Sequence, residues 1–212
     1  MQKKRRSPMR TFVRNSDPYR YYTLFREYIQ WSKRKFAAPS PHFIKQSCLI
    51  RNSVPQATWV ETGTHLGQTT QVLARYASRV YSIEPEPTLF ANAQRYFEKY
   101  EHVDIINGTS EDVFPTLLPT IKGNINFWLD GHYSAGATFQ GKQDTPILDE
   151  LKSIGENIGN FDKICVLVDD IRCFCSSQER YDNYPSIDKL VEWARSNSLS
   201  WHIEHDIFVA KN

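Results

Sequence analysis

The chain has no apolar run approaching the ~18 residues that a membrane-spanning helix needs, and its start lacks the apolar core of a signal peptide. A membrane span is therefore not expected. Cysteine is scarce: Cys48, Cys165, Cys173 and Cys175 are the four present. Cys173 and Cys175 form a CxC pair with no second pair to complete a zinc site. Cys165 lies inside an apolar strand pattern and reads as a small buried hydrophobe. A reduced, cytoplasmic setting is the expectation. Charge of one sign is lacking too. Lys and Arg total 26 against 24 Asp and Glu, a formal net of +2, so no global field argues for nucleic acid as the partner. There is no internal repeat and no low-complexity segment.

The 212 residues, 40% hydrophobic and 24% charged, fit one domain that can bury a core without disulfides. Positive charge collects in the first fourteen residues, at Lys3, Lys4, Arg5, Arg6, Arg10 and Arg14. Residues 1–18 read as a basic, flexible tail, or more sharply as an arm for an anionic partner or lipid headgroup. Residues 19–56 read as a helical extension. Tyr21, Leu24, Phe25, Tyr28 and Ile29 fall at helical spacing and predict a packed apolar face. Residues 38–41 (APSP) break that pattern, and a second short helix is expected over His42 to Arg51.

From Ala57 onward, strand-like runs at 58–61, 79–84, 102–107, 124–130 and 163–169 alternate with helical patterns. Val72, Leu73, Tyr76 and Ala77 mark one helix face, and Leu89, Phe90, Ala93 and Phe97 the next. Ile147, Leu151, Ile154 and Ile158 repeat in the same way, as do Ile187, Leu190, Val191 and Ala194. This alternation predicts an α/β fold, a doubly wound Rossmann-like sheet with helices on both faces, over residues 57–212. Ser200 to Lys211 reads instead as two strands joined near His205 and Asp206, a C-terminal antiparallel hairpin.

In such a sheet, ligands collect beyond the carboxyl ends of the strands. The first strand ends in Glu61 and runs through Thr62, Gly63, Thr64, Gly67 and Thr69 into a helix, a turn suited to an adenosine-type cofactor. Its two glycines are not the three-glycine dinucleotide fingerprint. Glu84 ends the second strand, twenty-one residues after Gly63, a distance suited to accepting ribose hydroxyls. Thr109 and Ser110 follow the third strand and could border an adenine. Asp130 and His132 follow the fourth, and Asp169 and Asp170 the fifth. Adjacent strand ends in a parallel sheet lie ~5 Å apart, so the three aspartates should converge. Carboxylates that close repel one another, and a divalent cation (magnesium, or calcium or manganese) would relieve the repulsion.

VETGTHLGQTT, YSIEP, FWLDGHY and VLVDDIR together resemble a class I S-adenosylmethionine (SAM)-dependent methyltransferase, a fold with a seven-stranded sheet. The nearer likeness is to metal-dependent O-methyltransferases of the catechol and macrolide-sugar types. The resemblance implies SAM as cofactor, Glu84 on its ribose, and Asp130, Asp169 and Asp170 on the metal. It implies His132 as base; Tyr133 stands where catechol-type enzymes carry a lysine base, and is the other candidate. Residues 133–146 form a long polar loop expected to face a hydroxyl-rich acceptor such as a sugar, a glycan or a small metabolite. A nucleic-acid or protein acceptor is disfavoured, because there is no aromatic-flanked Asn-Pro-Pro motif. The competing readings are a non-catalytic cofactor-binding module and an NAD-dependent enzyme; a homo-oligomer is compatible with the sequence.

Overall fold

A computed structural model describes residues 17–130, 145–174 and 184–212; the basic tail before Asp17 lies outside them. Seven strands form one sheet: β1 (Thr58–Thr62), β2 (Arg79–Glu84), β3 (Val103–Asn107), β4 (Gly123–Leu129), β5 (Phe161–Val168), β6 (Ser200–Glu204) and β7 (Ile207–Lys211). Their spatial order is β3-β2-β1-β4-β5-β7-β6, with β1 to β5 parallel and β7 antiparallel to both β5 and β6. This is the doubly wound sheet with a terminal hairpin that the sequence predicts.

Side chains alternate across the strands and so supply two cores. Phe127 and Leu129 of β4 point to one face with Ile164, Val166 and Val168 of β5. Trp128, Cys165 and Leu167 point to the other. Helices α5 (Ser110–Leu117), α6 (Ile147–Asn157) and α7 (Ile187–Ser196) cover the first face through Phe114, Leu151, Ile154, Leu190 and Ala194. Helices α2 (His42–Asn52), α3 (Gln68–Leu73) and α4 (Pro87–Phe97) cover the second through Leu49, Leu73, Ala93 and Phe97. Proline opens α4, and Glu86 caps it by accepting the Leu89 N–H at 2.6 Å.

Register sets where the site lies. Leu129 of β4 stands opposite Thr62 of β1 and Val168 of β5, so these three strands end level. The next N–H groups continue the ladder: Asp130 donates to the Thr62 carbonyl at 3.3 Å, and Asp169 to the Leu129 carbonyl at 3.0 Å. Backbone pairing therefore carries two carboxylates to the same edge.

The first helix, α1 (Asp17–Lys33), departs from its expected packing. Tyr21, Phe25 and Tyr28 are exposed, and contact with the rest of the fold comes near its end, where Trp31 is buried against Phe36 and the His205 ring. Leu24 and Ile29 of the expected face are half-buried, while its aromatic members stay exposed. Helix α2 is firmly held. Glu204 accepts from Arg51 at 2.7 Å, from the Cys48 thiol at 3.1 Å and from Asn52. Burial pushes the Glu204 carboxyl up, but these donors outweigh it and hold its pKa at about 2. Because that value lies below the ordinary 4.5, its stabilisation is complete above pH 4.5 and is lost as pH falls toward 2. Glu204→Gln should lower the melting temperature at pH 7 by several degrees and flatten the acid side of a melting-temperature profile between those limits; an unchanged profile would remove Glu204 as the anchor of α2.

Candidate active site at the carboxyl edge of the sheet

The turn after β1 is built around buried carboxylates. Glu61 is 1% exposed and accepts from the Thr70 and Ser82 hydroxyls, each at 2.6 Å; the Ser82 hydroxyl also lies 2.6 Å from that of Thr64. Burial, with Asp130 and Glu84 nearby, pushes the Glu61 carboxyl up to about 7 against the pull of those hydroxyls. Gly63 and Gly67 both take positive φ, at 88° and 71°. A Cβ on Gly67 would come within 2.8 Å of the Phe97 ring, so glycine is required there both by conformation and by space. Glu84 is buried and bridges two turns, accepting the His65 N–H at 2.7 Å and the Glu86 N–H at 3.0 Å. It stands at the edge where the ribose contact was expected, tied into the backbone on both sides. Thr69 sits beside the turn, 3.4 Å from the His42 ring, and Thr109 caps the approach to α5, with Ser110 buried at its start.

Across the edge, the aspartates meet cations from the same chain. Lys45 of α2 places its ammonium 2.6 Å from Asp169 and 2.7 Å from Asp170, and all three side chains are almost wholly buried. Arg172 lays its guanidinium on both oxygens of Asp170, at 2.6 and 2.9 Å, and also pairs with Asp206. Asp170 takes positive φ, 55°, and its N–H folds back onto the Asp169 carboxylate at 2.7 Å. Aspartate tolerates this left-handed conformation better than most residues. Burial works against the Lys45 charge, but Asp169 and Asp170 outweigh it and hold its pKa above the ordinary value. Burial and then Asp130 push Asp169 up, with Lys45 opposing. Four carboxylates (Asp130, Asp169, Asp170 and Asp206) gather around two cations here.

Asp130 occupies the middle of the edge, close enough to act electrostatically on Glu61, Asp169 and His42. The packing around the His42 ring lowers its pKa, as does Lys45 one turn along, while Asp130 pulls the other way. Neutral imidazole is thus favoured beside a carboxylate. A small cleft, with about 10 Å³ of enclosed space, lies beyond, walled by Asp130, Thr145, Glu150, Asp169, Phe174 and Tyr184. Glu150, on the first turn of α6, is 2% exposed, and its Oε1 has no hydrogen-bond partner among the described residues. Its pKa is pushed up to about 7 by burial, against the Ser110 and Thr62 hydroxyls.

The structure therefore brings Glu61, Glu84, Asp130, Asp169 and Asp170 to one edge. His132 and Tyr133, with the 133–144 part of the loop, lie outside the described residues. Sequence reading passed over His42, Lys45, Glu150 and Arg172. His42 and Lys45 stand three apart on one helix, a spacing that puts both on one face; nothing local says that the face is turned to residues 124 positions on.

The donor set does not fit the expected divalent cation. That expectation rested on uncompensated repulsion between Asp130, Asp169 and Asp170, and Lys45 and Arg172 supply compensation from within the chain. Among the described residues, no three His, Cys, Asp or Glu side chains form a group that could hold a metal ion.

Glu150 gives a signed pH dependence. A carboxyl with a raised folded pKa loses stabilising power as pH climbs from its unfolded value, near 4.5, through about 7. Glu150→Gln should match the parent at pH 5 and exceed it by roughly 1–2 kcal/mol at pH 8 in denaturant melts. Equal stability at both pH values would mean that the Glu150 carboxyl is not held neutral by its surroundings.

No protein-family model and no curated protein matches this chain. Solved structures do. A proposed methyltransferase from Streptococcus mutans, in complex with S-adenosylhomocysteine (SAH), superposes with a TM-score of 0.50 at 13% identity, over 82% of this chain and 98% of the other. The N-methyltransferase NodS from Bradyrhizobium japonicum WM9 gives 0.52 at 13% identity, over 79% and 92%. The 23S rRNA methyltransferase ErmE gives 0.51 at 13% identity, over 81% and 67%. At this level of identity the likeness is one of fold: the chain has the Rossmann-like fold of these class I methyltransferases.

Proposed function

We propose that this protein is a SAM-dependent methyltransferase that acts on a hydroxyl of a sugar, glycan or small metabolite. The observation that carries the reading is the row of strand-end carboxylates. Glu61 and Glu84 frame the glycine turn, and Asp130 stands between that turn and the acceptor-side cleft. In this reading the methyl donor lies over the ends of β1 and β2, with Glu84 toward the ribose and Thr109 and Ser110 toward the adenine. The excess of carboxylates over cations suits a positively charged sulfonium held near Asp130.

The chemistry needs little covalent help. The acceptor oxygen attacks the methyl carbon in line, the oxygen–carbon bond forms as the sulfur–carbon bond breaks, and SAH leaves neutral at sulfur. The hydroxyl proton passes to a base at the Asp130 end of the cleft. His132 and Tyr133 are the sequence candidates. His42 is a third, supported by its place beside Asp130 and its lowered pKa. Its Nε2 already accepts from the Gln46 amide at 2.9 Å, however, and would have to give up that bond to take a proton. The fold does not settle the acceptor atom, since an N-methyltransferase and an rRNA methyltransferase share it. The polar 133–146 loop and the low net charge favour a hydroxyl-bearing small molecule over nucleic acid.

SAH should raise the melting temperature of the protein, and NAD should leave it unmoved. Glu84→Gln should weaken SAH binding by roughly tenfold or more, about 1.4 kcal/mol, in calorimetric titration. Stabilisation by NAD alone would replace the methyltransferase reading with a dehydrogenase, and silence toward both ligands would favour a non-catalytic module.

A further inference from the structure

We propose that Lys45 is the built-in cation of this site: its ammonium stands where the strand-end aspartates would hold a divalent ion, and it keeps that ion out. The inference concerns the charge balance of the β4–β5 end, and its bearing on catalysis rests on the methyltransferase reading above.

The argument begins with the cost of burying charge. Asp169 and Asp170 are adjacent in sequence, share one strand end and are each 7% exposed. Two buried carboxylates in that position need a cation or a proton. The chain supplies the cation by direct contact, with a single nitrogen 2.6 and 2.7 Å from one oxygen of each carboxylate. One point charge bridging two carboxylates is what a bound metal ion would provide, and the ammonium is a compact point charge with donors for both. The second cation closes the remaining side, because the Arg172 fork occupies both oxygens of Asp170. An incoming ion would have to displace the Lys45 ammonium from both aspartates.

Helix α2 does not leave Lys45 free to swing away. One turn further along, Cys48, Arg51 and Asn52 are clamped on Glu204 of the terminal hairpin. The same hairpin reaches the site from the other side: Asp206 accepts the Arg172 N–H at 2.9 Å and pairs with its guanidinium. Both cations are thus fixed by one hairpin. Lys45 is a positioning residue in this scheme. It sets the orientation and charge of Asp169 and Asp170, and through them the field at Asp130.

The test uses Mn2+ as the probe, on the full chain, with electron paramagnetic resonance to count the bound ion. Wild type should bind no Mn2+ at millimolar concentration, and its melting temperature should be the same in excess chelator as in Mg2+. Lys45→Ala, or Lys45→Gln should alanine not fold, should acquire sub-millimolar Mn2+ binding that is lost again when Asp169→Asn is added. Mn2+ binding by wild type that requires Asp169 would overturn the proposal, as would a folded Lys45 variant that takes up no ion. If neither variant folds, the wild-type titration decides alone. SAH binding, measured in the same samples without divalent ion, keeps the two readings apart. Its failure would sink the methyl-donor assignment and leave the cation result standing, and Mn2+ uptake by wild type would do the reverse.

Discussion

The contact between Lys45 and the paired aspartates Asp169 and Asp170 is the constraint on which the rest of the site depends. A parallel sheet delivers the C-terminal residues of neighbouring strands to one edge whatever their charge. Here the backbone ladder fixes Asp130 and Asp169 in register, and the left-handed turn at Asp170 adds a third carboxylate. Geometry alone would make that edge a concentration of negative charge in a poorly solvated place. The ammonium from α2 makes it tolerable, and the Arg172–Asp206 pair extends the compensation to the hairpin. Breaking a buried pair of this kind by removing one partner typically costs about 3–5 kcal/mol, so the link serves structure as well as the site.

A division of labour follows along the edge. At the β1–β2 end the partners are uncharged: Glu61 is bound by hydroxyls and pushed toward protonation, and Glu84 is bound to backbone N–H groups. The β4–β5 end is ionic. Asp130 lies between them and influences groups on both sides. A ligand that spans the edge passes from a hydrogen-bonding surface to an electrostatic one.

Most of the fold was legible in the sequence because its signals are local. The period of two in FWL and ICVLV, and of three to four in Ile147, Leu151 and Ile154, reports faces of single elements, and those faces are the ones buried. The carboxylates were legible because strand ends can be located from the same periodicity. The cations were not. Lys45 and Arg172 earn their roles through contacts set by topology, and a lysine on an amphipathic helix looks the same whether it faces water or an aspartate pair. The physical problem at the edge was read correctly, as carboxylates needing positive charge, while its solution lay in a helix that carried no recognisable motif. Tyr21, Phe25 and Tyr28 show the converse, a periodic signal whose aromatic side chains remain exposed.

The Glu204 clamp also has a temporal side. Lys45 is made before its aspartate partners, which follow 124 and 125 positions later. Glu204, which holds α2 in place, lies 156 positions beyond Cys48 and only a few residues from Asn212. Until that hairpin emerges, the sheet can pair β1 through β5 but has neither the anchor for α2 nor Asp206 for Arg172. A nascent chain stopped short of residue 204 therefore carries Lys45 and its aspartates without the hairpin groups that hold α2 and Arg172.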